Sequence, residues 1–492
     1  MEIGKDPTGP FEKGWGEEQL PFKTAFSIWW KSLSKNRLQE LQDELVELMV
    51  PTGSIENQNI IKENKNVKLD ENGNYINEVG FKVINNPKGI TKHCVFIHGY
   101  GASLGCFARN FQIITKFRNP KSNYNYHIHF LDNLTFGLSS NPKLQNSNIS
   151  RWRIKPACNL KLINDEPTEK SKLYKKYYKL IEGFQIAPKE FEEYQEYFTP
   201  ILQDLETFYC DGIDQWRKNS GIDKIDYLVG HSFGAYWSAS YSLRFPDSVS
   251  NLILLSPVGM ERHVLAITSN EQALVPEIQK PNLDPTSYKF LSRYPILSNS
   301  QILKWYWKIP FLPRILPFLG HWGTQMYFSL WMKKLLKINK LIEKHGGPEM
   351  IFKSNNDLVY GTKKEVELII EYLYNSISTG TTSDIYIKYL LTPATVSKWP
   401  LYDKFVKKLE TNPDEFKFNC HIFYGQYDFM NSEAGYKLIK LLNENIDNGK
   451  KFTYNEILEG GHNLYIDNPF DTNQVIYEIA MSEEKELVKS DD

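Results

Sequence analysis

Three short segments carry side chains whose types and spacing suit acyl-transfer chemistry. Gly230-His231-Ser232-Phe233-Gly234 fits the pattern G-x-S-x-G. There a serine sits on a sharp strand-to-helix turn, and the flanking glycines leave room where the two elements nearly collide. A serine hydroxyl is a weak nucleophile until a base takes its proton. His462, in Glu459-Gly460-Gly461-His462-Asn463, lies late in the chain on a loop that its glycines let fold over the serine. Asp428 follows the apolar run and glycine turn Phe423-Tyr424-Gly425-Gln426-Tyr427. An acid so placed can fix the imidazole tautomer and stabilise the imidazolium. The order serine, acid, histidine suits one hydrolytic triad.

Each assignment has a competitor. Gly101-Ala102-Ser103-Leu104-Gly105 also matches the serine pattern. The strand predicted over 94–97 ends well before Ser103, so Ser103 falls in a loop, whereas Val229 leads almost directly into Ser232. Glu261, just after the strand predicted over 252–255, is the rival acid; Asp132, ending the strand at 127–131, reads as structural. His98-Gly99-Tyr100-Gly101 follows the strand at 94–97, in the place where such sites draw one oxyanion-hole donor. The expected backbone N–H donors are Tyr100 and Phe233, and losing one such donor costs about 3 kcal/mol.

The elements that must position these residues alternate. Short apolar strands at 81–84, 94–97, 127–131, 227–229, 252–255, 420–424 and 452–458 are interleaved with helices at 200–219, 234–245, 433–446 and 470–485. Fully apolar short strands between helices predict an α/β fold with a mostly parallel sheet covered on both faces. Residues 22–50 read as helical, with Leu38, Leu41, Leu45 and Leu48 on one stripe, and 51–78 as a solvated loop. The expected layout is an N-terminal tail and helix (1–80), a first core part (81–258) with an insertion at 140–199, a helical cap (259–415), a second core part (416–485) and a tail (486–492).

Composition narrows the function. The 492 residues carry a formal net charge of −1, which gives no electrostatic footprint for nucleic acid. The cysteines number five, an odd count without a C-x-x-C pair, so neither a disulfide framework nor a zinc site is expected and a reducing compartment fits. The N-terminus reads as neither a secretory signal nor an Arg-rich presequence, and no run of about 18 apolar residues predicts a membrane span. Aromatic residues reach 14% and gather in the cap at Trp305, Trp307, Phe311, Phe318, Trp322, Phe328 and Trp331, with Lys304, Lys308, Arg314, Lys333 and Lys334 around them. That combination suits a peripheral membrane-facing element that feeds an acyl chain to Ser232; a buried cap is the alternative.

At these sites the chain resembles the α/β-hydrolase superfamily. More narrowly it is similar to fungal members related to cardiolipin-specific phospholipase and lysophosphatidic acid acyltransferase. The likeness rests on Val95-Phe96-Ile97-His98-Gly99-Tyr100-Gly101-Ala102-Ser103, Val229-Gly230-His231-Ser232-Phe233-Gly234, Leu255-Ser256-Pro257-Val258-Gly259, Tyr424-Gly425-Gln426-Tyr427-Asp428-Phe429-Met430 and Gly461-His462-Asn463-Leu464-Tyr465-Ile466-Asp467. It implies an α/β-hydrolase fold with a large helical cap, phospholipid or lysophospholipid substrates, and an intracellular, peripheral and in some members mitochondrial location. It also implies an H-x4-D acyl-transfer motif, here His462 to Asp467. His127 to Asp132 repeats that spacing inside a strand, and Asp467 before Asn468-Pro469 also reads as a helix start.

The sequence therefore predicts a serine-dependent lipid acyl-ester hydrolase, with or without acyl transfer to a lysophospholipid, and without metal or organic cofactor. Two alternatives stand beside it: a soluble esterase for a small substrate, and a non-catalytic lipid-binding regulator on the same fold.

Overall fold

The protein is described by a computed structural model covering residues 20–50, 59–150, 153, 155–156, 158–163, 181–269, 275–293, 306, 312–344, 359–378, 381–393 and 395–490. The first helices are α1 (Phe22–Lys31) and α2 (Arg37–Met49). Strands β1 (Ile60–Lys68), β2 (Tyr75–Val83), β3 (Ile90–Ile97) and β4 (Tyr124–Leu131) follow, with α3 (Ile113–Phe117) before β4. A separate hairpin pairs β5 (Leu160–Ile163) with β6 (Gly183–Ile186). Then come α4 (Pro188–Asn219), β7 (Ile225–His231), α5 (Phe233–Arg244) and β8 (Val249–Leu255). Between β8 and the next strand come a 3-10 helix (Leu312–Leu319), α6 (His321–Leu335), α7 (Ile338–Lys344), α8 (Lys363–Ser378), α9 (Ser383–Leu390) and α10 (Leu401–Thr411). The chain closes with β9 (Asn419–Gly425), α11 (Ser432–Asn445), β10 (Phe452–Ile457), α12 (Leu464–Asp467) and α13 (Pro469–Ser490).

Eight strands form one sheet in the order β1-β2-β4-β3-β7-β8-β9-β10. β1 with β2 and β2 with β4 are antiparallel; every other neighbouring pair is parallel. The parallel strands are covered on both faces, which is why Cys94-Val95-Phe96-Ile97 and Leu252-Ile253-Leu254-Leu255 are apolar without alternation. One core packs α4, α5, α10 and α11 on one face; the other packs α2, α3, α6, α8, α12 and α13 on the opposite face.

Three expectations need correction. Part of the predicted loop at 51–78 is strand: β1 and the start of β2 pair from Ile60↔Val83 to Lys68↔Tyr75. β1 is an edge strand, so one flank stays solvated and its sequence (Lys62-Glu63-Asn64-Lys65-Asn66) reads as polar. The helix expected at 200–219 begins at Pro188 and runs through Pro200, because Pro188 takes the first helical position, where no N–H is needed. The segment 22–50 is two helices broken at residues 32–36. No helix among the described residues is long and apolar enough to cross a membrane.

Candidate active site

The site is assembled at the carboxyl ends of β3, β7, β9 and β10. Ser232 follows β7 directly with φ 51° and ψ −110°, a left-handed conformation costly for a residue bearing a Cβ. The turn holds because Ser232 N–H donates to Leu255 O at 2.9 Å, and Ser232 O accepts from Tyr236 N–H at 3.1 Å. Both flanking glycines are required sterically. A Cβ on Gly230 would stand 2.7 Å from Ala235 Cα, and one on Gly234 2.4 Å from His98 O.

The imidazole of His462 reaches this turn. Its Nε2 lies 3.0 Å from Ser232 Oγ, and its Nδ1 lies 3.1 Å from Asp428 Oδ1. With the proton on Nδ1, the ring donates to Asp428 and accepts from the serine hydroxyl, the arrangement a general base needs. Asp428 Oδ1 also accepts the Met430 N–H at 3.0 Å. Burial pushes the Asp428 carboxyl up, but the hydrogen bond and charge of His462 outweigh it, so Asp428 ionises below the usual carboxylate range. The three predicted side chains, separated by up to 230 positions, thus meet in one hydrogen-bonded row.

The competitors lie elsewhere. Ser103 is fully buried, and its hydroxyl donates to Tyr372 Oη at 2.8 Å. Glu261 accepts from Ser292 Oγ at 2.7 Å and faces Arg293; burial raises its carboxyl pKa. Asp132 is a structural hub. It accepts from Leu104 N–H at 2.7 Å, Leu138 N–H at 2.8 Å and Asn77 Nδ2 at 2.8 Å.

The loop after β3 is pressed against the serine. A Cβ on Gly99 would stand 3.1 Å from Ser232 Cβ and 2.8 Å from His231 Nδ1. His98 shapes the loop: Nδ1–H donates to Gly99 O at 2.8 Å, and Nε2 accepts from Asn133 N–H at 3.0 Å. Burial lowers its pKa to about 4, consistent with that neutral tautomer. Tyr100 is held from the cap. Its hydroxyl donates to Asp384 Oδ1 at 2.5 Å, the atom that also takes the Arg314 Nε–H at 2.5 Å. Phe233 opens α5, so its N–H has no intrahelical acceptor and is available to a ligand oxygen.

Two braces escaped the sequence reading. Buried His231 donates from Nε2 to His462 O at 2.9 Å, fixing the histidine loop from below. Desolvation holds its pKa well under the ordinary histidine value, so it stays the neutral donor this bond requires. Asp467 Oδ2 accepts the Gly461 N–H at 3.0 Å, and its Oδ1 lies 3.7 Å from Lys334 Nζ. Asp467 closes α12 and does not start a helix. Asn468 takes the capping role expected of it, with Oδ1 accepting the Asp471 N–H at 3.1 Å. The first brace exists only once the sheet sets β7 beside the loop after β10, and the second only once that loop folds back onto α12.

A cleft of about 950 Å³ between α4, α10 and residues 286–289 contains none of these groups. Lys304, Trp305, Trp307, Lys308 and Phe311 fall outside the described residues.

The family described as alpha/beta hydrolase fold matches residues 92–469. The chain is 29% identical over 482 residues to Protein ECM18 of Saccharomyces cerevisiae, covering 95% of this chain and 86% of that one. It is 26% identical over 388 residues to the 1-acylglycerol-3-phosphate O-acyltransferase ICT1 of the same yeast, covering 76% and 78%. It is 20% identical over 396 residues to the 1-acylglycerol-3-phosphate O-acyltransferase of Arabidopsis thaliana, covering 80% and 67%.

Proposed function

The chain belongs to the α/β-hydrolase fold family, and from that premise we propose that it is a serine-dependent lipid acyl enzyme working through an acyl-enzyme on Ser232. The observation that carries this is the hydrogen-bonded row Ser232–His462–Asp428 at 3.0 and 3.1 Å on a strained turn. Ser232 Oγ attacks the ester carbonyl carbon while His462 Nε2 takes the hydroxyl proton. The developing oxyanion is met by the N–H groups of Phe233 and Tyr100. His462 returns its proton to the leaving lysophospholipid oxygen, and the ester bond to Ser232 remains. An acceptor hydroxyl then gives its proton to His462 and attacks the acyl carbonyl, and His462 passes that proton to Ser232 Oγ as the acyl–serine bond breaks. Water as acceptor yields a fatty acid; a lysophospholipid hydroxyl yields a new phospholipid. The relatives named 1-acylglycerol-3-phosphate O-acyltransferase favour 1-acylglycerol-3-phosphate as that acceptor.

The lipid reading also rests on an exposed apolar surface. Phe22, Phe26 and Trp30 recur every four residues along α1, and Trp322, Met326 and Leu330 do so along α6; all six are exposed. A Phe22–His321 edge contact at 4.6 Å joins the two helices, and the Trp29 Nε1–H bond to Pro317 O at 3.0 Å ties α1 to the 3-10 helix that precedes α6. Phe318, 83% exposed, extends the patch. Exposed Lys23, Lys31 and Lys333 lie on the same two helices, and exposed Lys337 lies in the turn after α6. Aromatic stripes with basic flanks suit the headgroup region of an anionic bilayer.

The test is release and transfer of a labelled acyl chain. The enzyme, given a phospholipid labelled in its acyl chain plus unlabelled 1-acylglycerol-3-phosphate, should form labelled fatty acid, labelled phosphatidic acid or both, and S232A neither. Turnover unchanged in S232A overturns the proposal.

A further inference from the structure

Three histidines outside the active site share one face of the sheet. His93 on β3 pairs in register with His127 on β4, and His129 follows two residues on, so all three rings point toward α4. One ring nitrogen of each lies within 4.8 Å of the other two. His93 Nδ1 and His129 Nε2 are 3.1 Å apart. From these positions we propose a binding site for a divalent transition metal of the Zn²⁺ class, held by His93, His127 and His129. His98 comes five positions after His93, so the cluster lies about 16 Å along the strand from the catalytic turn.

The donor set fits such an ion. Neutral imidazoles are the preferred nitrogen ligands of Zn²⁺, and two of them at Zn–N distances of about 2.0 Å in a tetrahedron stand about 3.3 Å apart. The closest pair here is already near that spacing. His129 is oriented as a ligand is: its other nitrogen, Nδ1, lies 2.7 Å from Glu78 Oε1. The second oxygen of Glu78 accepts the indole N–H of buried Trp216 at 2.9 Å. A carboxylate on the far side of a ring fixes its tautomer and raises its basicity toward a metal. His127 is only 6% exposed, and its Nε2 has no hydrogen-bond partner among the described residues. An unpartnered buried nitrogen is costly, and a bound cation satisfies it.

Space and charge are arranged alike. A Cβ on Gly80 would stand 3.0 Å from His127 Nε2 and 3.1 Å from Glu78 Oε1, so the glycine keeps the cluster open. Glu63 Oε2, 3.7 Å from His127 Nε2, supplies a carboxylate for a fourth position. Lys65 (3.3 Å from Glu78) and Lys82 (paired with Glu63) now balance the two acids. Both are at least a third exposed and can swing out when a cation enters. His93 is half-buried and opens the cluster to solvent. The bound metal would clip β3, β4 and, through Glu63, β1 together beneath α4.

Chelator-stripped full-length protein, given ZnCl₂ and then desalted, should retain about one Zn²⁺ per chain by elemental analysis, with a raised Tm. H127Q and H93Q should each lose at least about 90% of that zinc and the Tm shift. If H127Q does not fold, the more exposed H93Q carries the test, with fluorophosphonate labelling of Ser232 as its check of folding. Co²⁺ in place of zinc should give the visible absorption of a four-coordinate site. Wild-type protein retaining less than about 0.1 equivalent, or H93Q retaining as much as wild type, overturns the proposal.

Discussion

At the residue scale the proposed chemistry turns on hydrogen bonds aimed at one imidazole. D428N would keep the shape but lose the charge and the tautomer control, so kcat should fall by about 10³–10⁴-fold with KM little changed. Asp467 is the sharper case. Its carboxylate receives the Gly461 N–H beside His462, which makes it a positioning residue. D467A should lower kcat about 10-fold, the worth of one buried hydrogen bond, and D467N, which keeps an acceptor oxygen, should restore most of it. An acyl-transfer role for the Asp467 charge itself predicts no rescue by D467N, which a steady-state comparison of the three proteins would reveal. Ser232, His462 and Asp428 were legible in the sequence because their signals are local: a strained turn needs glycines, and so does a loop packed as closely as the one that carries His462. The bond from His231 to His462 O was not, since it exists only once β7 and the loop after β10 are neighbours.

At the element scale the parallel strands were readable and the edge was not. A strand covered on both faces must be apolar, and 94–97 and 252–255 are. β1 carries Lys62, Glu63, Asn64 and Lys65, and only pairing with β2 makes it a strand. The surface proposed to face a membrane shows a similar split. The aromatic cap was expected to carry it through Trp305, Phe311 and Trp322, and only Trp322 of these lies among the described residues, where it is exposed. The four-residue spacing of Phe22, Phe26 and Trp30 was present in the sequence, but the helix-to-helix contact that joins it to α6 was not. Replacing Phe26, Trp30 and Trp322 together by Ser should reduce co-sedimentation with phosphatidic acid-containing vesicles at least about 10-fold while leaving fluorophosphonate labelling intact. Equal co-sedimentation would remove the surface from the account.

At the scale of the whole molecule, several buried histidines set the response to acid. Burial lowers His98, His263 and His421 to about 4, and desolvation also depresses His127 and His231. Each binds fewer protons folded than unfolded, where its pKa is near 6.5. Their stabilisation is therefore complete above about pH 6.5 and falls as pH drops toward 4, by about 3 kcal/mol for a fully buried ring. Asp428 and Glu78, both held below their ordinary values, keep their contributions down to about pH 4 and lose them only below it, so the decline above pH 4 belongs to the histidines. Thermal unfolding followed from pH 8 to pH 4 should show a nearly flat Tm above pH 7 and a steep decline below pH 6. A Tm constant down to pH 4.5 would contradict these buried neutral rings.

The central claim is that one hydroxyl is activated by one distant imidazole. Peptide mapping by mass spectrometry after reaction with a fluorophosphonate tests it most directly. The adduct should lie on the peptide containing Ser232 in the wild type, be absent in S232A, and form at least about 100-fold more slowly in H462A. Labelling at Ser103 in its place, or labelling of Ser232 at an unchanged rate in H462A, would contradict the account.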